Sequence, residues 1–181
     1  ENTKEYKRAK ALLKIHHMVI NMIQYKLEEA IQLGNEILKE GKDLKDTNLM
    51  IHSHFHMFDI YAQTKEIEPA IAAAKEARRL DELKSKKSGS YYNNLFHLLD
   101  IYTYVGGYDE EVDEILKIVY NNNNSRARSY ELLARVLRQS VENENRQQFI
   151  LDLVGVNSPL EFSEKAIQET EGVLFDNDQY F

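Results

Sequence analysis

The sequence predicts an all-α fold built from a repeated pair of antiparallel helices, and three observations carry that reading. The first is composition: 181 residues hold only 2 Pro and 7 Gly among many Leu, Ile, Ala, Lys and Glu. Few breakers and many strong helix formers favour helix over sheet. The second is apolar spacing at three and four residues along most of the chain, the period of one helix face. The third is an internal repeat, the signature of a stacked architecture. Phe55-His56-Met57-Phe58-Asp59-Ile60-Tyr61 aligns without gaps with Phe96-His97-Leu98-Leu99-Asp100-Ile101-Tyr102, at a shift of 41 residues.

The match runs on into the following helix, where Ile67, Ile71, Ala74 and Ala77 fall under Tyr108, Val112, Ile115 and Ile118. A weaker copy lies 40 residues upstream, with Ile15, His16, Ile20, Leu27, Ala30 and Ile31 under Phe55, His56, Ile60, Ile67, Ala70 and Ile71. A fourth, degenerate copy places Leu132, Leu137, Ile150 and Leu153 in the corresponding positions. First helices are expected at about 4–24, 48–64, 90–105 and 125–140, and second helices at about 27–40, 67–83, 108–120 and 144–154. The whole chain, 1–181, reads as one helical-repeat domain. Its repeats cover about 4–41, 46–85, 90–122 and 125–155, and a capping helix about 158–175.

The joints have local reasons. Gly106-Gly107 allows a tight turn within a pair. Gly41, Ser88-Gly89-Ser90 and Asn121 to Asn124 mark breaks between pairs. Pro69 falls in the first turn of its helix, where a missing N–H costs nothing. Ser158-Pro159-Leu160-Glu161 is a capping-box start. The helix it opens is expected to bury Leu160, Ile167, Val173 and Leu174 and to cover the end of the stack.

Tyr61, Ala70 and Ala77, at spacings of 9 and 7, resemble the small-residue contacts of the tetratricopeptide-repeat (TPR) family. His54 and Phe58 stand where that family carries a large aromatic and a mid-helix Gly, and its closing Pro is missing. The repeat is also longer than the family's ~34 residues. The resemblance implies a right-handed TPR-like superhelix of about four antiparallel helix pairs plus a C-terminal capping helix. In architecture it is also similar to bacterial regulators that sense short signalling peptides.

That resemblance implies a protein- or peptide-binding module, whose first helices line a concave groove. On this register the groove carries His52, Phe55, Asp59 and Gln63, then Asn93, Phe96, Asp100 and Tyr104. Arg128, Arg135 and Gln139 follow in the fourth repeat. Asn, Gln and Tyr can hydrogen-bond the backbone of an extended peptide without demanding one sequence. Equally, Asp59 and Asp100 read as solvated helix charges.

The first helix departs from the pattern. Leu12 to Ile23 is apolar nearly all round, and such a helix is normally buried on most sides. Leu12, Ile15, Val19 and Met22 form a possible apolar interface for a second copy, for a missing upstream helix, or for a ligand. A purely structural covering by another segment reads equally well. The alternative function is therefore a structural or oligomerisation domain, with a homodimer as one form. The chain begins with Glu1 rather than Met, which fits a processed chain or the sensor part of a larger regulator.

Catalytic chemistry finds little footing. There is no Cys, no Gly-rich phosphate loop and no HExxH, so no enzyme activity, cofactor or metal is expected. His52, His56 and Asp59 share one helix face and are the best zinc candidates. Against that, His56 repeats as His97 and His16, which points to a role at the helix joints. Lys84-Ser85-Lys86-Lys87 reads as a solvated basic loop. A net charge of -7 opposes nucleic-acid binding. No apolar run is long enough to span a bilayer. With no cysteine and no signal-peptide pattern at Glu1 to Glu5, a cytoplasmic setting is expected.

Overall fold

The computed structural model of the chain describes residues 3–84, 89–121, 126–140 and 142–176, with nine α-helices and no strand among them. They are α1 (Lys4–Ile23), α2 (Leu27–Leu44), α3 (Thr47–Thr64), α4 (Ile67–Glu82), α5 (Gly89–Val105), α6 (Asp109–Tyr120), α7 (Arg126–Gln139), α8 (Glu144–Val154) and α9 (Pro159–Asp176). The expected boundaries hold within a few residues. Two compact units emerge, Glu1–Ile101 and Tyr102–Phe181. No helix among the described residues is long and apolar enough to cross a membrane.

In the first unit α2 packs against both α1 and α3, α3 packs against α4, and α1 also touches α3. Left-handed residues close the short turns: Tyr25 (φ 59), Lys45 (φ 52) and Lys65 (φ 60). Asp46 caps α3, its Oδ1 accepting from the Asn48 and Leu49 N–H groups at 3.1 and 3.2 Å. It also accepts from Arg8 Nε of α1 at 2.6 Å. Burial pushes the Asp46 carboxyl up, but Arg8 and the two N–H groups outweigh it and hold it below its ordinary value.

The α2 stripe that faces both neighbours is Ala30, Gly34, Ile37 and Gly41. A Cβ on Gly34 would stand 3.0 Å from both Met18 Cε and Met57 Cγ, and one on Gly41 would stand 2.8 Å from Met50 Cγ. The buried Ser53 hydroxyl of α3 donates to the Gly34 carbonyl at 2.8 Å. Gly41 is therefore not the expected break. It lies inside α2 as a site of close approach, and the helix ends three residues later, at Leu44.

In the second unit Gly106 and Gly107, with φ of 79° and 77°, turn the chain as expected. Tyr102 stacks on Tyr108 across that turn at 4.3 Å. The core joins Val112, Ile115, Leu116 and Val119 of α6 to Leu132, Leu133, Val136 and Leu137 of α7. The buried Ser129 hydroxyl donates to the Val119 carbonyl at 2.8 Å. Arg146 of α8 is nearly buried and pairs with Asp109 and, through Nε at 3.1 Å, with Asp113. Burial pushes the Asp113 carboxyl up despite that arginine.

Ser158 caps α9 as expected, the Glu161 N–H donating to its Oγ at 3.2 Å, while Glu161 Oε2 reaches one residue past the cap and accepts from the Asn157 N–H at 2.8 Å. Its buried stripe is not the expected one. Leu160 and Ile167 are 70% and 56% exposed, while Phe162 is buried with its ring 5.9 Å from that of Tyr130. The turn of α9 that meets α7 is centred on position 162, which points 160 and 167 outward. The Val173 and Leu174 side chains, most of the 84–87 loop and Asn122 to Asn124 lie outside the described residues.

Candidate binding surface of the first unit

The site starts from helix periodicity. Arg8, Leu12, Val19 and Met22 share one face of α1, and Asn48, His52, Phe55 and Asp59 share the corresponding face of α3. Because α1 and α3 touch, the two faces adjoin. Ring contacts bring α5 alongside: His97 stacks on Phe55 at 4.5 Å and lies 4.3 Å from Phe58. The first helices of three successive pairs thus form one surface.

One end of this surface is cationic. A cavity of about 290 Å³ is lined by Arg8, Leu12, Asn48, Leu49, Ile51, His52 and Lys84. A neighbouring depression shares Arg8, Asn48 and Lys84 and adds Lys4, Lys45, Asp46 and Thr47. Four cationic side chains, Lys4, Arg8, Lys45 and Lys84, therefore gather here against two carboxylates, Asp46 and the buried Asp81, in a chain whose net charge is -7. Arg8 is oriented by Asp46. Lys84 is held at 2.7 Å by Asp81, a fully buried carboxylate that also accepts from Asn94 Nδ2 of α5 at 3.3 Å. His52, exposed at its tip but partly desolvated against the cavity wall, is pushed below its ordinary value by that desolvation, then by the charges of His56 and Lys84.

Farther along, Asp59 hangs between two histidines. Its Oδ2 lies 3.8 Å from His56 Nδ1 and its Oδ1 4.0 Å from His97 Nδ1. Both separations are too long for hydrogen bonds. Of the repeated histidines, His56 and His97 sit in the α3–α5 joint, packed on Phe55 from edge and face, while His16 is exposed on α1. Among the described residues no group of three or more His, Asp or Glu side chains is arranged to hold a metal ion.

The expected site residues divide. His52 and Gln63 are exposed, and Phe55, Asp59 and Asn93 are half-buried on the surface just described. Asp100 is exposed at its α5 edge. Phe96 is only 3% exposed and belongs to the core, so it offers a ligand almost nothing. Tyr104, 78% exposed, and the half-buried Arg135 belong to the second unit. The Arg128 side chain lies outside the described residues. On α1, Leu12, Val19 and Met22 are half-buried, but Ile15 is 8% exposed and turned into the core.

Arg8, Asn48 and Lys84 were missed by sequence reasoning. Arg8 and Asn48 precede Leu12 and His52 by one turn on the same faces, so extending the stripe by four residues would have found them. Nothing local places Lys84 there, since its position depends on the buried Asp81. Compared with protein-family models, curated proteins and solved structures, the chain shows no match.

Proposed function

We propose that the chain is a protein- or peptide-binding module of TPR-like superhelical form rather than an enzyme, and that it acts as the interaction part of a larger regulator. The observation that carries this reading is the continuous surface of α1, α3 and α5, cationic where Arg8 and Lys84 lie and carrying Asp59 farther along. Arg8 and Lys84 favour an anionic group of the ligand. Leu12, Val19, Met22 and Phe55 offer apolar area in the middle. Asp59, level with Val19 on the repeat register, favours a cationic or N–H-rich group of the ligand there. An extended peptide with an acidic residue at one end fits that order.

The test is selection of binders from a random peptide library, followed by affinity measurement on variants. Arg8→Glu should weaken peptides carrying an acidic end at least tenfold, and Phe55→Ala should weaken all of them. Asp59→Asn should relax the preference at the opposite end. Failure to select any binder, or affinities unchanged in all three variants with helicity intact, would sink the reading.

A further inference from the structure

The cationic end of the first unit carries more hydrogen-bond donors than the fold itself uses. Arg8 gives its Nε to Asp46 at 2.6 Å. Among the described residues its two terminal nitrogens make no further hydrogen bond. Lys84 gives one N–H to Asp81 at 2.7 Å and keeps two. The ammonium groups of Lys4 and Lys45 and the side-chain amide of Asn48 find no partner among the described residues. These donors come from three places, the first turns of α1, the turn into α3 and the end of α4, and they converge on one cavity of about 290 Å³.

The charge is in surplus as well. Lys4, Arg8, Lys45 and Lys84 stand against Asp46 and Asp81, so two positive charges remain uncompensated. The N-terminal end of α3 adds the positive end of its dipole. Its Asn48 and Leu49 N–H groups are already taken by Asp46, so an anion held here would be held by side chains. Leu12, Leu49 and Ile51 give the cavity an apolar wall, which limits screening by water and strengthens each charge-assisted bond.

The surplus selects an anion, and its size selects which one. A carboxylate brings two oxygens and one negative charge. It would leave one cation and most of the donors unanswered. A phosphate monoester brings three strong acceptor oxygens and close to two negative charges at neutral pH. It can take a bidentate fork from a guanidinium and point contacts from ammonium groups at the same time. We propose that this cavity takes the phosphate of a phosphoserine or phosphothreonine in a peptide lying on the groove. The inference rests on the groove reading above and deepens it, because phosphorylation of the ligand then becomes the event that switches binding on.

The test uses two synthetic peptide libraries, identical except that one fixed position is phosphoserine in the first and glutamate in the second. Matched pairs of selected peptides are then measured against the full chain. The phosphoserine member should bind at least tenfold more tightly than the glutamate member, and phosphatase treatment should remove the gain. Lys4→Gln with Lys45→Gln removes two cations without unpairing either carboxylate, so the fold is kept. It should weaken the phosphopeptide about tenfold and leave its unphosphorylated serine counterpart unchanged. Arg8→Gln should weaken it further. Equal affinity for the two members of each pair would overturn the phosphate inference and leave the groove reading standing. No binder from either library would overturn both. Adenosine monophosphate binding as tightly as the phosphopeptide would assign the cavity to a small phosphate ester, and a single-stranded oligonucleotide outcompeting the peptide would assign it to nucleic acid. Either result would overturn the proposal.

Discussion

Substituting Gly34 by Leu tests the close approach of α2 to α1 and α3 on which the stacking of the first unit depends. Two effects oppose each other. Leucine is a better helix former than glycine, which contributes about 0.8–1 kcal/mol in favour of the variant. Its Cβ would begin 3.0 Å from Met18 Cε and Met57 Cγ, and three more carbons must go beyond that. Overpacking of this kind costs about 1–3 kcal/mol. Any separation of α2 from α3 also stretches the 2.8 Å bond from Ser53 to the Gly34 carbonyl, worth about 1 kcal/mol. The net expectation is a loss of about 2 kcal/mol, or roughly 4–8 °C in melting temperature for a chain of this size. Gly34→Ala is the control. Its single carbon asks the Met18 Cε end and the inner Met57 Cγ, both 3.0 Å away, to give by a few tenths of an ångström, a far smaller demand than leucine makes, so the propensity gain should leave it much closer to the parent. Urea unfolding followed by far-UV circular dichroism measures both. A Gly34→Leu protein as stable as the parent would refute the close approach and with it this account of the joint.

The other predictions concern caps, core and pH. Asp46→Ala should cost about 1 kcal/mol for the lost cap. Because the Asp46 carboxyl titrates below its unfolded value, its contribution is present above about pH 3.9 and vanishes as pH falls through the lower folded value. The parent and variant unfolding curves should therefore converge in acid. Phe162→Ala should destabilise the second unit by about 3–5 kcal/mol, read by unfolding monitored there, with little change at Leu160→Ala. His54 is pushed below its ordinary value by burial, with Lys42 and Arg79 adding to this and Glu76 opposing it. Below about pH 6.5 the unfolded chain takes up a proton there that the folded chain resists, so stability should fall as pH drops through that range. His54→Gln should flatten this limb of a melting-temperature profile, and an unchanged profile would remove His54 from the account.

The helices, their caps and most of their turns were legible in the sequence because they depend on neighbours within about four residues. The Ser158 cap of α9, the Gly106-Gly107 turn and the repeat that pairs His56 with His97 all belong to this local class. Which face of each helix meets which neighbour was decided only by the tertiary structure. Gly41 reads as a breaker in isolation, yet in the fold it admits Met50. Leu160 and Ile167 continue a plausible apolar stripe, yet α7 takes Phe162 instead. Phe96 and Ile15 occupy positions that the repeat assigns to open surface, and both turn inward. The cationic cavity needs Lys84 brought from the end of α4 to Arg8 and Asn48, which no spacing along the chain encodes. Periodicity states that a face is apolar, but its burial depends on the shape and distance of the element that arrives. On α1 that difference leaves Tyr6, Leu13, Ile20 and Ile23 outside the core and Ile15 within it.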